Sequence, residues 1–319
     1  MEKKLGKATR DAYGQALVEI GETHPDVIVL DADLSKSTKT VTFSEMFPER
    51  FFNVGIQEAN LVGVASGLAA CGKIPFVSSF ASFLVCKGFD QMRIGAAYSE
   101  LPIKMVASHG GISVGEDGPS QMSIEDVALA CTLPKFAVMV PSDEICARAL
   151  VHAAVEYKGP IYMRTGRPKA PIVHTEKSSF EIGKGIRLRE GNDVTLVANG
   201  LLVFEALQAA ETLAEEGISA SVIELHTVKP LDRQLLIEEA SKTGHFVVAE
   251  EHQIWGGLGS AVATCLAQEV PSKIEFVAIQ DTYAESGTPD ELLIKYGLSA
   301  ANVVKAAKKV LGKSVKSET

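Results

Sequence analysis

Short runs of β-branched and aromatic residues recur along the chain, separated by longer stretches whose apolar positions repeat at helical spacing. In the first half these runs are VIVLDA, FFNVG, IPFVSSF, IKMVAS, FAVMVP and IYMRT. Between them the spacing predicts helices near 7–23, 57–71, 81–98, 123–131 and 142–156. An uninterrupted apolar run bounded by turn residues reads as a strand buried on both faces. Alternation of such runs with helices therefore predicts a mostly parallel sheet covered by helices. The rhythm breaks at PKAPIVHTEKSSFEIG, 168–183, which has prolines, polar residues and no periodicity and reads as a linker.

The pattern then resumes with IRLRE, DVTLVANG, SASVIEL, HFVVAEE and IEFVAIQ, with helices expected near 202–216, 231–242 and 258–268. Two further helices and a Lys-rich tail, expected to be a solvated face, close the chain. The expected organisation is α/β in two domains, 1–176 and 177–319, each a mostly parallel sheet flanked by helices. A length of 319 residues is ample for both. At 46% hydrophobic and 22% charged, the composition excludes a disordered chain.

Net charge narrows the function classes. A value of −9 argues against a general nucleic-acid binder, which needs a basic face for phosphates, although local basic residues can still hold a small anion. Five scattered cysteines, none spaced CxxC, fit free thiols in a reducing compartment and neither a zinc site nor a disulfide framework. The lead MEKKLGKATRDAYG has no apolar core, and no window approaches a membrane-spanning length. The expectation is a cytoplasmic protein with neither nucleic acid nor membrane as partner, and with Met1 as a natural start.

Parallel sheets collect function in the loops after their strands. DLSKST follows VIVLDA, SHGGISVGEDGPSQ follows IKMVA, RTGRP follows IYM, and Gln57–Glu58 follows FFNVG. These loops supply Asp33, Ser37, His109, Asp117, Gln121, Arg164 and Glu58 to one rim. Each has a plainer reading as a cap, a turn or a solvated charge; Glu58 in particular stands where a first-turn acid faces the positive end of a helix dipole. P-loop, GxSxG and HExxH motifs are absent. GGLGSA, 256–261, reads as a tight strand-to-helix turn and not as a phosphate cradle.

Taken in order, KATRDAYGQAL, FFNVGIQEAN, SSFASF, SHGGISVGEDGPSQMSIED, YMRTGRP, HTVKPLD and EEHQIWGGLGSAV resemble the C-terminal half of transketolases: a pyrimidine-binding domain followed by the C-terminal domain. The resemblance implies thiamine diphosphate as cofactor and transfer of a two-carbon ketol unit between sugar phosphates, as in pentose phosphate metabolism. It implies that Glu58 hydrogen-bonds a ring nitrogen of the aminopyrimidine and is catalytic. The small, apolar helix behind this carboxyl predicts that it is desolvated and its pKa raised. Phe80 and Phe83 fall on the aromatic positions that hold the pyrimidine ring, and Asp33 on a carboxylate near the cofactor. Cys86 stands where some transketolases have a tyrosine, which weakens the stacking platform. Arg10, His109 and Arg164 match positions for the substrate phosphate, with Ser37 beside them, and His109 counts among the catalytic groups. Asp117 matches the residue that holds the hydroxyl next to the reacting carbon, and Gln121 stands where many members have histidine.

The family's metal motif, GDG followed by a distant Asn, is missing. The resemblance therefore implies a split enzyme. This chain would be the small subunit, and a larger subunit would bring the diphosphate pocket and its Mg2+ or Ca2+ into an α2β2 assembly. A β subunit of a 2-oxo acid dehydrogenase, a 1-deoxyxylulose-phosphate synthase-like fragment and a non-catalytic docking subunit are the alternatives. The three basic residues of the phosphate channel favour transketolase over the first.

Overall fold

Val27–Asp31, VIVLD, is buried at every position, and its two faces feed two different cores. Val27 and Val29 pack with Leu17 and Ile20 of the helix Thr9–Thr23, whereas Ile28 and Leu30 pack with Leu61 and Leu84 of the helices Glu58–Ala70 and Ala81–Gln91. Side chains alternate across a strand, so a helical layer on each face calls for apolar residues on both, and only Asp31, at the strand end, is polar. A computed structural model of the chain describes residues 2–313; Met1, with the natural-start expectation, and the end of the Lys-rich tail lie outside them.

The first sheet runs, in spatial order, Thr227–Lys229, Ala137–Met139, Ile161–Arg164, Lys104–Ala107, Ile74–Ser78, Val27–Asp31, Phe51–Asn53. Six of these strands are parallel; Thr227–Lys229, from the second half of the chain, joins antiparallel to Ala137–Met139. The second sheet runs Lys273–Ile279, His245–Gln253, Val194–Ala198, Ala220–Glu224, Ile186–Arg189, with only the last antiparallel. This is the two-domain α/β architecture that the pattern predicts.

Several elements differ from expectation, three of them near the site. The segment expected to be linker pairs Lys169–Pro171 with Leu5–Ala8, so the helix expected from residue 7 begins at Thr9. The helix expected over 81–98 is α-helical to Gln91 and continues as a π-helix over Met92–Tyr98. The strand read as IPFVSSF stops at Ser78, and Phe80 forms an isolated bridge to Ser108. That bridge ties the two loops that carry the aromatic and histidine side chains. In the last helix, Ala300–Val310, Val303, Ala307 and Val310 face the core, while Lys308 and Lys309 pair with Glu216 and Glu275. Among the described residues no helix is long and apolar enough to cross a membrane.

Candidate active site

All parallel strands of the first sheet end on one rim, and the candidate side chains gather there. Glu58 opens its helix after an extended turn and is 1% exposed. Its carboxylate accepts from Ser79 Oγ at 3.0 Å and lies 3.5 Å from Lys87 Nζ. The expected desolvation is present, and the two donors are additions that the sequence reading did not contain. Lys87, half-exposed, also sits 4.4 Å from the centroid of the Phe83 ring. A cation thus already fills the gap between an aromatic face and a buried acid, an arrangement that also suits a flat, proton-bearing heterocycle.

Phe83 stacks on Phe80 with centroids 5.4 Å apart, and Phe80 stacks on His109 at 3.7 Å. His109 has a left-handed backbone, φ 62°, and is buried; its Nδ1 is 2.9 Å from Ser108 Oγ and its Nε2 3.7 Å from Asp117. Strain of this kind in a non-glycine residue collects at functional sites. Burial pushes the imidazole down to about 3, with Arg10 and Arg167 pushing the same way. His109 is therefore a neutral ring that links the aromatic platform to a basic pocket.

That pocket contains Arg10, Arg167 and Asp117. Arg10 Nη1 donates to the Ser37 carbonyl at 3.0 Å, while its buried Nε has no hydrogen-bond partner. Burial lowers the Arg10 guanidinium, and Arg167 lowers it further against Asp11 and Asp117. Arg167 pairs with Glu116 at 2.9 Å and lies 3.8 Å from Asp117. An unpaired, partly desolvated arginine beside a second arginine is a fit for a small dianion.

Arg164, expected at the phosphate, is placed elsewhere. It is buried; Nε donates to Asp126 at 2.9 Å, Nη2 to Asp126 and to the Ser123 carbonyl, and Nη1 to the Glu251 carbonyl at 2.6 Å. Burial works against its charge and Asp126 overrides that, raising the guanidinium. Its fork is filled by protein groups, and Arg167, three residues on, reaches the pocket in its place. Asp33, left-handed and exposed, accepts from Asn53 at 2.9 Å and is not brought to the aromatic cluster. The Gln121 side chain bonds its neighbour Ser120. Ser37 contributes its carbonyl to Arg10.

Sequence reasoning missed Arg167, Lys87, Ser79 and Asp31. Asp31 is buried at its strand end and accepts from the Leu34 amide, Thr38 and Thr40 at 2.6, 2.7 and 2.9 Å, which shapes the loop under Arg10. At GGLGSA the tight-turn reading agrees with the structure: the Glu250 carboxylate accepts from the amides of Leu258 and Gly259, so the helix N-terminus already holds an internal anion. No cluster of three or more His, Cys, Asp or Glu that could hold a metal occurs among the described residues.

Comparison with known proteins gives the family. Residues 6–172 match the family "Transketolase, pyrimidine binding domain", and residues 183–303 match "Transketolase, C-terminal domain". A solved structure, "Split gene transketolase, inactive beta4 tetramer", is 50% identical and superposes with a TM-score of 0.90 over 96% of this chain and 99% of that one. The 6-deoxy-6-sulfo-D-fructose transketolase subunit SqwH of a Clostridium species is 42% identical over 94% of both chains. Human transketolase is 37% identical over 96% of this chain but only 49% of its own length. With both of its domains matched and relatives of its own length, the chain belongs to the transketolase family, in the form that carries the pyrimidine-binding and C-terminal domains.

Proposed function

We propose that this chain is the small subunit of a thiamine-diphosphate-dependent transketolase, active only with a larger subunit. The observation that carries the reading is the single line of groups along the rim. A buried acid, an aromatic platform and a neutral histidine run into a pocket with two arginines. Bound thiamine diphosphate supplies the carbon nucleophile and electron sink for cleaving and remaking a bond next to a carbonyl. Glu58 would hold the pyrimidine ring by a hydrogen bond, and Phe80 and Phe83 would hold its face. His109, uncharged, would hydrogen-bond the substrate near the reacting carbon. Asp117 would orient a hydroxyl, and Arg10 with Arg167 would take the terminal anion. Ser37 and Gln121 would line the channel, Asp33 would lie near the cofactor, and Arg164 would support the channel from beneath.

A Mg2+ or Ca2+ on the diphosphate would be held by the large subunit, in an α2β2 assembly; the missing GDG motif supports this. Arg10 and Arg167 fit a phosphate and a sulfonate alike. The donor and acceptor are accordingly sugars with either group at the far end.

The test is reconstitution. The chain is purified alone and with a candidate large subunit, and ketol transfer from xylulose 5-phosphate and from sulfonated ketoses is assayed with thiamine diphosphate and magnesium. The pair turns over and this chain alone does not, and Glu58→Ala reduces kcat by about 10²-fold or more. Turnover by this chain alone refutes the divided site. An active pair that tolerates Glu58→Ala makes this chain a docking partner.

A further inference from the structure

The loop that carries His109 and Asp117 belongs to the first domain by sequence and to the second by packing. Ile112 and Val114, fully buried, share an apolar cluster with Leu196, Val222 and Ile279 of the second domain. The Ser113 amide donates to Glu251 Oε1 at 2.6 Å. A Cβ on Gly111, φ 82°, would lie 2.2 Å from the Glu251 carboxyl, and one on Gly115, φ 83°, would lie 3.2 Å from the Pro289 ring. Both positions need the left-handed freedom of glycine, and both use it to approach the second domain. The Glu251 backbone carbonyl also receives Arg164 Nη1, so this residue joins the loop to the end of the neighbouring strand.

We infer that Glu251 is a positioning residue: through it the second domain sets the placement of the loop that presents Asp117 to Arg10 and Arg167. The inference rests on the reading of the site given above. A glycine-rich loop has many backbone states, and a buried carboxylate that accepts an amide hydrogen selects one of them. Glu58 is held by Ser79, Phe83 by its helix and Phe80 by its bridge to Ser108, which lies before the glycines of the loop, so a disturbance at Glu251 falls first on residues 111–118 and the substrate end.

Two measurements on Glu251→Ala and Glu251→Gln test this. Amide hydrogen exchange of the isolated full-length chain needs no partner and no activity. Glu251→Ala should speed exchange across residues 111–118, while Glu251→Gln, which keeps an acceptor oxygen, should restore most of the protection. In the reconstituted pair, Glu251→Ala should raise KM for the anionic ketose roughly tenfold or more, with half-saturating thiamine diphosphate unchanged. Unchanged exchange across the loop overturns the inference. So does a parallel loss of sugar and cofactor affinity, which marks a general structural role. A wild-type pair with no ketol transfer counts against the proposed function instead, and the exchange experiment then decides this inference by itself.

Discussion

Two arginines three residues apart, Arg164 and Arg167, separate structure from function in this site. Replacing Arg164 with methionine keeps an unbranched apolar stem and removes the guanidinium with its charge. Asp126, wholly buried, then keeps the Tyr162 hydroxyl as its named side-chain donor, and the carbonyls of Ser123 and Glu251 each lose one. Removing one partner of a buried ion pair costs about 3–5 kcal/mol. Arg167→Met is a different perturbation. Its partners Glu116 and Asp117 are 59% and 35% exposed, and pairs of this kind contribute about 0–1 kcal/mol. Its loss should be felt in binding, where a hydrogen bond to a charged group is worth about 1.5–3 kcal/mol, or roughly 10- to 100-fold in KM. Urea unfolding of the isolated chain reads the first effect, and KM for a phosphorylated ketose in the reconstituted pair reads the second. The reasoning fails if Arg164→Met unfolds within about 1 kcal/mol of wild type. It fails equally if Arg167→Met leaves KM where it was.

Three further outcomes follow from the same geometry. With its pKa lowered to about 3 in the folded chain against 6.5 for the free side chain, His109 adds stability that is complete above 6.5. That stability drains as pH falls from 6.5 toward 3, because the unfolded chain binds the extra proton there. His109→Gln should flatten that part of the stability profile, and the His109 imidazole signals should not titrate between pH 5 and 8. His174 behaves oppositely: burial lowers it, but buried Glu224 overrides that and raises it, so its contribution is full below the ordinary histidine range and fades as pH rises through the raised value. His174→Gln should therefore cost most in mildly acid urea titrations and least in alkaline ones, and a loss independent of pH would contradict this. Lys87→Met clears the cation between Phe83 and Glu58. Half-saturating thiamine diphosphate in the pair should fall, by about fivefold if the displaced contacts are worth about 1 kcal/mol; a weaker affinity would show that Lys87 helps to hold the cofactor.

How much was legible depended on whether a signal was local. The buried strands announced themselves, because a strand covered on both faces is a run of apolar residues: VIVL, ahead of Asp31, is the plain case. The burial of Glu58 was legible for the same reason, from the apolar helix that follows it. Thr227–Lys229 was not, because three residues carry no period and their partner lies in the other domain. The π-helical Met92–Tyr98 was not, since its apolar spacing differs little from that of the α-helix before it. Arg164 and Arg167 looked alike in RTGRP. One is the last residue of a strand and its side chain meets Asp126, whereas the other stands past Gly166 on the open loop. That difference is set by contacts 38 residues away in the chain.

The site also divides by the kind of force at work, and this bears on how two subunits could share it. On the proposed reading, recognition by this chain would use a hydrogen bond from a buried acid, aromatic faces and a histidine kept neutral by its surroundings. Such groups act over a few ångströms and need rigid placement, which the parallel sheet and the second domain provide. A diphosphate with a hard cation needs several oxygen ligands at near-ideal geometry instead, and those can come from a separate polypeptide provided that the interface is well packed. The division thus runs between groups that must be buried together and groups that must surround a cation. Ile56, Val64 and Ile94, from the turn before the Glu58 helix, from that helix and from the π-helix, are exposed, and apolar side chains left in water on these elements are what a subunit interface would cover.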